Sequence, residues 1–111
     1  MILGLQGEGD NFLDNNHVLA TAKHFLGDGG TRDGIDQGNT IISEQELRDI
    51  HGEPYFAAIG SCIQAVMASF NSWNGEKAHG SEYLLQNILR ENNRSQAVRI
   101  YCLIRELIDD N

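Results

Sequence analysis

Two short apolar runs dominate the chain, each followed by a polar, glycine-bearing stretch and then by a segment of helical character. The first, residues 17–25 (HVLATAKHF), holds β-branched side chains and is short enough to be a buried strand. The second, residues 62–70 (CIQAVMASF), has the same character. Neither run alternates between apolar and polar positions, which predicts parallel strands covered on both faces. Between them, residues 27–38 are rich in Gly and Asp and predict a loop. Ser43-Glu44-Gln45-Glu46 has the form of a capping box, so a helix is predicted to begin at Glu44. Pro54 has no backbone donor and is predicted to break or restart that helix after His51-Gly52. The restarted piece should run to Ile59 and close on a left-handed cap at Gly60. Residues 71–80 (NSWNGEKAHG) predict a second polar loop. Residues 81–90 predict a third helix, with Tyr83, Leu84 and Ile88 on one face. Residues 1–16, rich in Gly, Asp and Asn and without a period, predict loop.

The order strand, loop, helix, strand, loop, helix defines an α/β chain in which the two strands are adjacent and parallel. In such folds the reactive side chains gather where strands run into the loops that precede the helices. Lys23 and His24 hold that position in the first unit, and residues 69–74 hold it in the second.

Composition narrows the choice of partners more than it changes the fold. A length of 111 residues suits one small domain or a piece of a larger one. The net charge is -8, and the eight Lys and Arg residues form no dense cluster, which argues against nucleic acid and anionic membranes as partners. No stretch is long and apolar enough to span a membrane, and the first residues carry no signal-peptide pattern, so the compartment stays open. The two cysteines, Cys62 and Cys102, match no metal spacing. Cys62, inside an apolar run, predicts a buried free thiol.

Candidate chemistry centres on Lys23-His24, and two readings stand side by side. In one, a solvated lysine adjoins a histidine satisfied by its loop. In the other, two adjacent donors reach a polar ligand, with the backbone of residues 27–30 close behind them. A phosphate cradle at GDGGT fails on spacing, because Arg32 stands where the last glycine of G-x-G-x-x-G belongs, and Asp28 and Asp33 would repel phosphate. Asp28, Asp33, Asp36 and Asn39 do not fit a calcium loop and read as turn formers bonding to nearby backbone. His51 reads as a surface or supporting residue and His79 as structural. Trp73 suits either plain packing or a stacking platform for a sugar ring.

The stretch AKHFLGDGGTRDGIDQGNTIISEQELRDIHGEPYFAAI, followed by VMASFNSWNGEKAHGSEYLL, closely resembles the N-terminal barrel domain of glycoside hydrolase family 3. The similarity is to its exo-β-glucan glucohydrolase and β-glucosidase branch. It runs from about Val18 to Leu89, with the Lys-His pair, the GDGGT loop, the ELRDIH helix and SWNG in matching order and spacing. The resemblance implies two consecutive strand-loop-helix units of a (β/α)8, TIM-like barrel over residues 1–90. It implies further that Lys23 and His24 hydrogen-bond hydroxyls of the innermost sugar, and that Met67 and Phe70 form the wall beside the nucleophile. Relatives often place a tyrosine where Phe70 stands. The implied substrate is a β-glucoside or β-glucan, with no cofactor and no metal.

Family members are retaining enzymes that pass through a glycosyl-enzyme. The resemblance implies that their nucleophile is the aspartate of a Ser-Asp-Trp motif on the next strand, and this sequence contains no such motif. From Glu91 the chain departs from the family pattern. Ile100, Leu103, Ile104, Leu107 and Ile108 fall at helical spacing there, which predicts a divergent helical tail over residues 91–111. The expectation is therefore an incomplete barrel from a frameshifted or truncated gene, lacking nucleophile and acid/base. The rival is a non-catalytic sugar-binding or assembly subunit completed by a partner chain.

Overall fold

The computed structural model describes residues 1–91 and 99–101. In chain order the elements are α1 (Ile2–Gln6), β1 (Thr21–Phe25), β2 (Asn39–Thr40), α2 (Glu44–Glu46), α3 (Glu53–Gly60), β3 (Ala65–Ala68), β4 (Ser72–Trp73), β5 (Glu76–Lys77), α4 (Tyr83–Glu91) and β6 (Arg99–Tyr101). Strands β1 and β3 are parallel neighbours, with Thr21 opposite Ala65 and Lys23 opposite Met67. The register shifts between Lys23 and Phe25, and the peptide bonds Lys23–His24 and Phe25–Leu26 are cis. Both strands therefore present their carboxyl ends on one side of the molecule, as the two apolar runs predict.

Burial of the two strands differs from expectation. Strand β3 is enclosed, with Ala65 and Val66 at 0% exposure. In β1 only Phe25 is buried, while Thr21 and Lys23 are exposed. The reason is topological: β3 has β1 on one side and β6 on the other, whereas β1 has a single neighbour among the described residues. Both strands also begin later than the apolar runs do. Val18 and Leu19 are exposed, and Cys62 lies in a turn at φ +60°. Its thiol is exposed, against the predicted buried thiol.

The start of the chain is helical where its composition predicts loop, and Gln6 supplies the reason. This side chain is fully buried at 0% exposure. Its Oε1 accepts from the backbone N–H of Ala20 at 3.0 Å and of Gln64 at 3.2 Å, and its Nε2 donates to the Cys62 carbonyl at 2.9 Å. One amide thus ties together the approaches to both strands and satisfies backbone groups that lie outside either ladder.

The capping box is present, with Ser43 Oγ accepting from the Glu46 N–H and the Glu46 carboxylate accepting from the Ser43 N–H. Pro54 does not break the helix. Residues Leu47–Gly52 widen into π-helical turns, and that widening accommodates a ring that would otherwise clash with the carbonyl four residues back. The left-handed position after α3 is Cys62 rather than Gly60, which stays helical. In α4, Leu84 and Ile88 are buried while Tyr83 is exposed, so the predicted apolar face is narrower by one residue. The core joins Phe25, Leu26, Leu47, Tyr55, Ile63, Val66, Leu84 and Leu89. Phe25 and Tyr55 meet edge to face at 5.0 Å.

A second small sheet went unpredicted. Strand β2 pairs parallel to β4, which pairs antiparallel to β5 through an Asn74-Gly75 turn. Both turn residues have positive φ, 48° and 91°, the geometry of a type I′ hairpin. The predicted tail needs one correction within the described residues: Arg99–Tyr101 pair with β3 as a strand, not as part of a helix. Leu103, Ile104, Leu107 and Ile108 lie outside the described residues.

Candidate functional site

The carboxyl ends of β1 and β3 open into a recess of about 330 Å³ whose walls include His24, Asp28, Gln37, Ser69, Phe70 and Asn71. A larger cavity, about 470 Å³, lies along β1 and is walled mainly by apolar side chains of α1, β1 and α3. The smaller recess is the candidate site, because polar groups converge there at the loop ends of two parallel strands.

The loop after β1 is held by a buried relay. Asn71, 1% exposed, donates from Nδ2 to Thr40 Oγ1 at 3.1 Å, and that hydroxyl donates to the Gly27 carbonyl at 2.7 Å. Gly27 sits at φ +89°, and a Cβ there would lie 3.1 Å from the Leu47 side chain. Three residues on, a Cβ at Gly30 would lie 2.7 Å from His51 Nε2, so the imidazole covers that glycine closely. His51 is thus a supporting residue beneath the loop. Glycine is required at Gly27 by conformation and at Gly30 by this close approach.

The small sheet joins the two loops into one rim. Gly75 N–H donates to Asn39 Oδ1, and both Trp73 Nε1 and Asn74 Nδ2 donate to the Ile42 carbonyl. Trp73, partly buried against the core, therefore takes the packing reading rather than the platform reading. Lys77 Nζ donates to the Phe70 carbonyl at 2.9 Å and reaches the Gln37 carbonyl at 3.4 Å. His79 packs against Phe70 with ring centroids 4.7 Å apart, in keeping with a structural role.

Of the sequence-predicted site residues, the recess brings together His24 and Phe70. Phe70 is 8% exposed and forms a hydrophobic wall. Lys23 is exposed and lines the larger apolar cavity, so the two members of the Lys-His pair are parted. Met67, half-buried in β3, stands opposite Lys23 in the ladder and outside the recess walls. Asp28 does not bond backbone as a turn former. Its Oδ2 lies 3.0 Å from His24 Nδ1. Burial first, and the Asp28 charge second, push the Tyr55 hydroxyl above its ordinary range, so it stays protonated against Phe25.

Sequence reasoning missed Thr40 and Lys77, and placed Asn71 at the second strand end without the Thr40 contact that gives it its role. The contacts of Asn71 with Thr40 and of Lys77 with Gln37 carry no local signal, since those partners lie 31 and 40 residues away. The Asn-Gly dipeptide at 74–75, by contrast, announces a hairpin, and from it the rim sheet could have been read. Among the described residues no group of three or more His, Cys, Asp or Glu is placed to hold a metal, and no helix is long and apolar enough to cross a membrane.

Comparison with known proteins places this geometry. The model of the glycosyl hydrolase family 3 N terminal domain matches residues 1–94. A β-xylosidase of Formosa agariphila is 42% identical over 91 residues, 81% of this chain and 13% of that protein. A periplasmic β-glucosidase of Salmonella typhimurium is 31% identical over 91 residues, 82% of this chain and 12% of that protein. The crystal structure of an exo-1,3/1,4-β-glucanase from a Pseudoalteromonas species superposes with a TM-score of 0.80 at 54% identity, covering 82% of this chain and 12% of that one. The chain thus spans 12–13% of the length of these relatives. The family model covers residues 1–94 and relatives 31–54% identical align over about four fifths of the chain, so the chain belongs to glycosyl hydrolase family 3.

Proposed function

We propose that the chain is one part of a β-glucosidase or exo-β-glucanase barrel, contributing two strand-loop-helix units and a portion of the innermost sugar subsite. The observation that carries this reading is the shared recess of His24 and Phe70 at the carboxyl ends of β1 and β3. A pyranose has an apolar face and a ring of hydroxyls. Phe70 suits the first and His24 the second. Met67 would extend the Phe70 wall along β3. The Lys23 ammonium has no hydrogen bond or ion pair among the described residues. Its long stem would let the ammonium swing to a hydroxyl at the end of β1. A donor so placed gains strength as charge develops on the substrate.

The chemistry assigned to such a barrel is hydrolysis of an O-glycosidic bond by a carboxylate nucleophile and a second acid/base group. This chain carries no Ser-Asp-Trp motif, so those groups would come from elsewhere. The expected behaviour of the 111-residue chain is therefore sugar contact without turnover. The test pairs two measurements on it. Incubation with an aryl β-glucoside should release no aglycone. Titration with methyl β-glucoside should shift NMR signals of His24 and Phe70. Sustained aglycone release, or a titration that leaves both side chains unmoved, would sink this reading.

A further inference from the structure

We propose that Asp28 is the positioning residue of His24. By accepting the Nδ1 proton it fixes the imidazole as the Nδ1–H tautomer and leaves Nε2 bare, as an acceptor for a ligand hydroxyl. The proposal rests on the reading of the recess as a sugar subsite. His24 Nδ1 and Asp28 Oδ2 lie 3.0 Å apart, and both residues line the recess. A carboxylate can only accept, so when the ring carries one proton that proton lies on Nδ1. Nε2 has no partner among the described residues.

Asp28 is itself held in place from both sides. Gly27, the preceding residue, is clamped by Thr40 Oγ1 at 2.7 Å and packed against Leu47. Gly30 lies under the His51 ring. The short 3-10 turn between them, Asp28–Gly30, therefore presents the carboxylate from a fixed backbone, and no rearrangement is needed when a ligand enters. The chemical consequence reverses the role drawn from the Lys-His pair alone. Lys23 can only donate, while His24 so held can only accept. A ligand hydroxyl facing His24 must give its proton, and an ether or fluorine at that position would lose the contact.

The test is long-range proton–nitrogen NMR on the ¹⁵N-labelled full chain, without sugar, at a pH where the imidazoles carry a single proton. The nitrogen shifts of His24 should report Nδ1–H as the major tautomer. Asp28→Ala should return His24 toward the Nε2–H form that unconstrained imidazoles favour, with the tautomer ratio falling about threefold or more for a half-exposed partner. His51, which touches the same loop, should keep its tautomer. An Nε2–H majority at His24 in the parent would overturn the proposal, and so would an unchanged ratio in a folded Asp28→Ala variant. Should that variant fail to fold, the parent spectrum alone decides. Because no sugar is present, failure of methyl β-glucoside to bind would remove the subsite reading and leave the tautomer result standing.

Discussion

Replacing Gln6 tests whether one buried amide holds the amino ends of the two parallel strands together. Gln6→Leu keeps a side chain of similar size and apolar stem but removes all three hydrogen bonds, to Ala20, Gln64 and Cys62. Among the described residues nothing else reaches the Ala20 and Gln64 N–H groups, which meet a side chain of 0% exposure, whereas the Cys62 carbonyl also accepts from Gln64 Nε2 at 2.9 Å. Each buried group left without a partner costs about 1–3 kcal/mol. Two groups, the Ala20 and Gln64 N–H, are so orphaned; as neighbours they will not add fully, so about 3 kcal/mol is the working figure, against total stabilities of about 5–15 kcal/mol. The melting temperature should fall by roughly 12 °C or more at about 4–8 °C per kcal/mol. Urea unfolding followed by the fluorescence of Trp73 measures the same loss at constant temperature.

Gln6→Glu sharpens the test, because a carboxylate can still accept from Ala20 and Gln64 but has nothing to give Cys62. Burial would raise the folded-state pKa of the new glutamate above its unfolded value. Its folded state then binds more protons, so stability is greatest below the unfolded value near 4.3 and declines as pH rises through the folded one. The gap between parent and Gln6→Glu should therefore widen from acid to neutral pH, while the Gln6→Leu gap stays level. A Gln6→Leu variant within about 0.5 kcal/mol of the parent, the range of ordinary surface substitutions, would refute the reasoning.

Two further outcomes follow from the rim and from helix α2. Gly75→Ala places a side chain at φ +91° and should lower stability by about 1 kcal/mol, read as a lower urea midpoint; an equal or higher midpoint would remove the type I′ turn from the account. The Tyr83 hydroxyl, and after it Arg48, hold the Glu44 carboxyl below its ordinary value. This contribution is present above the unfolded pKa and fades as pH falls through the lowered folded one. Tyr83→Phe should thus be destabilising at neutral pH and converge on the parent in acid, and parallel pH curves would contradict it.

What could be read from the sequence follows the range of the forces involved. The capping box needs only residues 43–46, and it is present as predicted. The pairing of β1 with β3 follows from two apolar runs of similar length, and it too is present. Burial of β1 could not be inferred from its own composition, because enclosure depends on whether a strand stands beside it. Alanine, valine and leucine in such a run fit an enclosed strand or an edge equally well. The same limit applied to Gln6, whose partners are 14, 56 and 58 residues away. A polar side chain in a glycine-rich opening carries no sign that it will be buried.

The recess illustrates how a local signal becomes chemistry only through distant contacts. Lys23 and His24 are adjacent in sequence, yet consecutive strand residues face opposite ways, and Lys23 lines one cavity while His24 lines the other. His24 meets its neighbours in the recess from two other segments: Phe70 just past β3, and Asp28 in a loop anchored by Thr40 and Asn71. Asn71 lies in the second strand unit and Gly27 in the first, so the hydroxyl relay couples the two units directly. Thr40→Val would remove that relay at nearly constant shape. It would leave the Asn71 amide with the Ser72 carbonyl alone and the Gly27 carbonyl with the Gly30 N–H alone, and would loosen Asp28 without touching His24. The recess is therefore a property of the paired strand ends, and neither β1 with its loop nor β3 with its loop could present it alone.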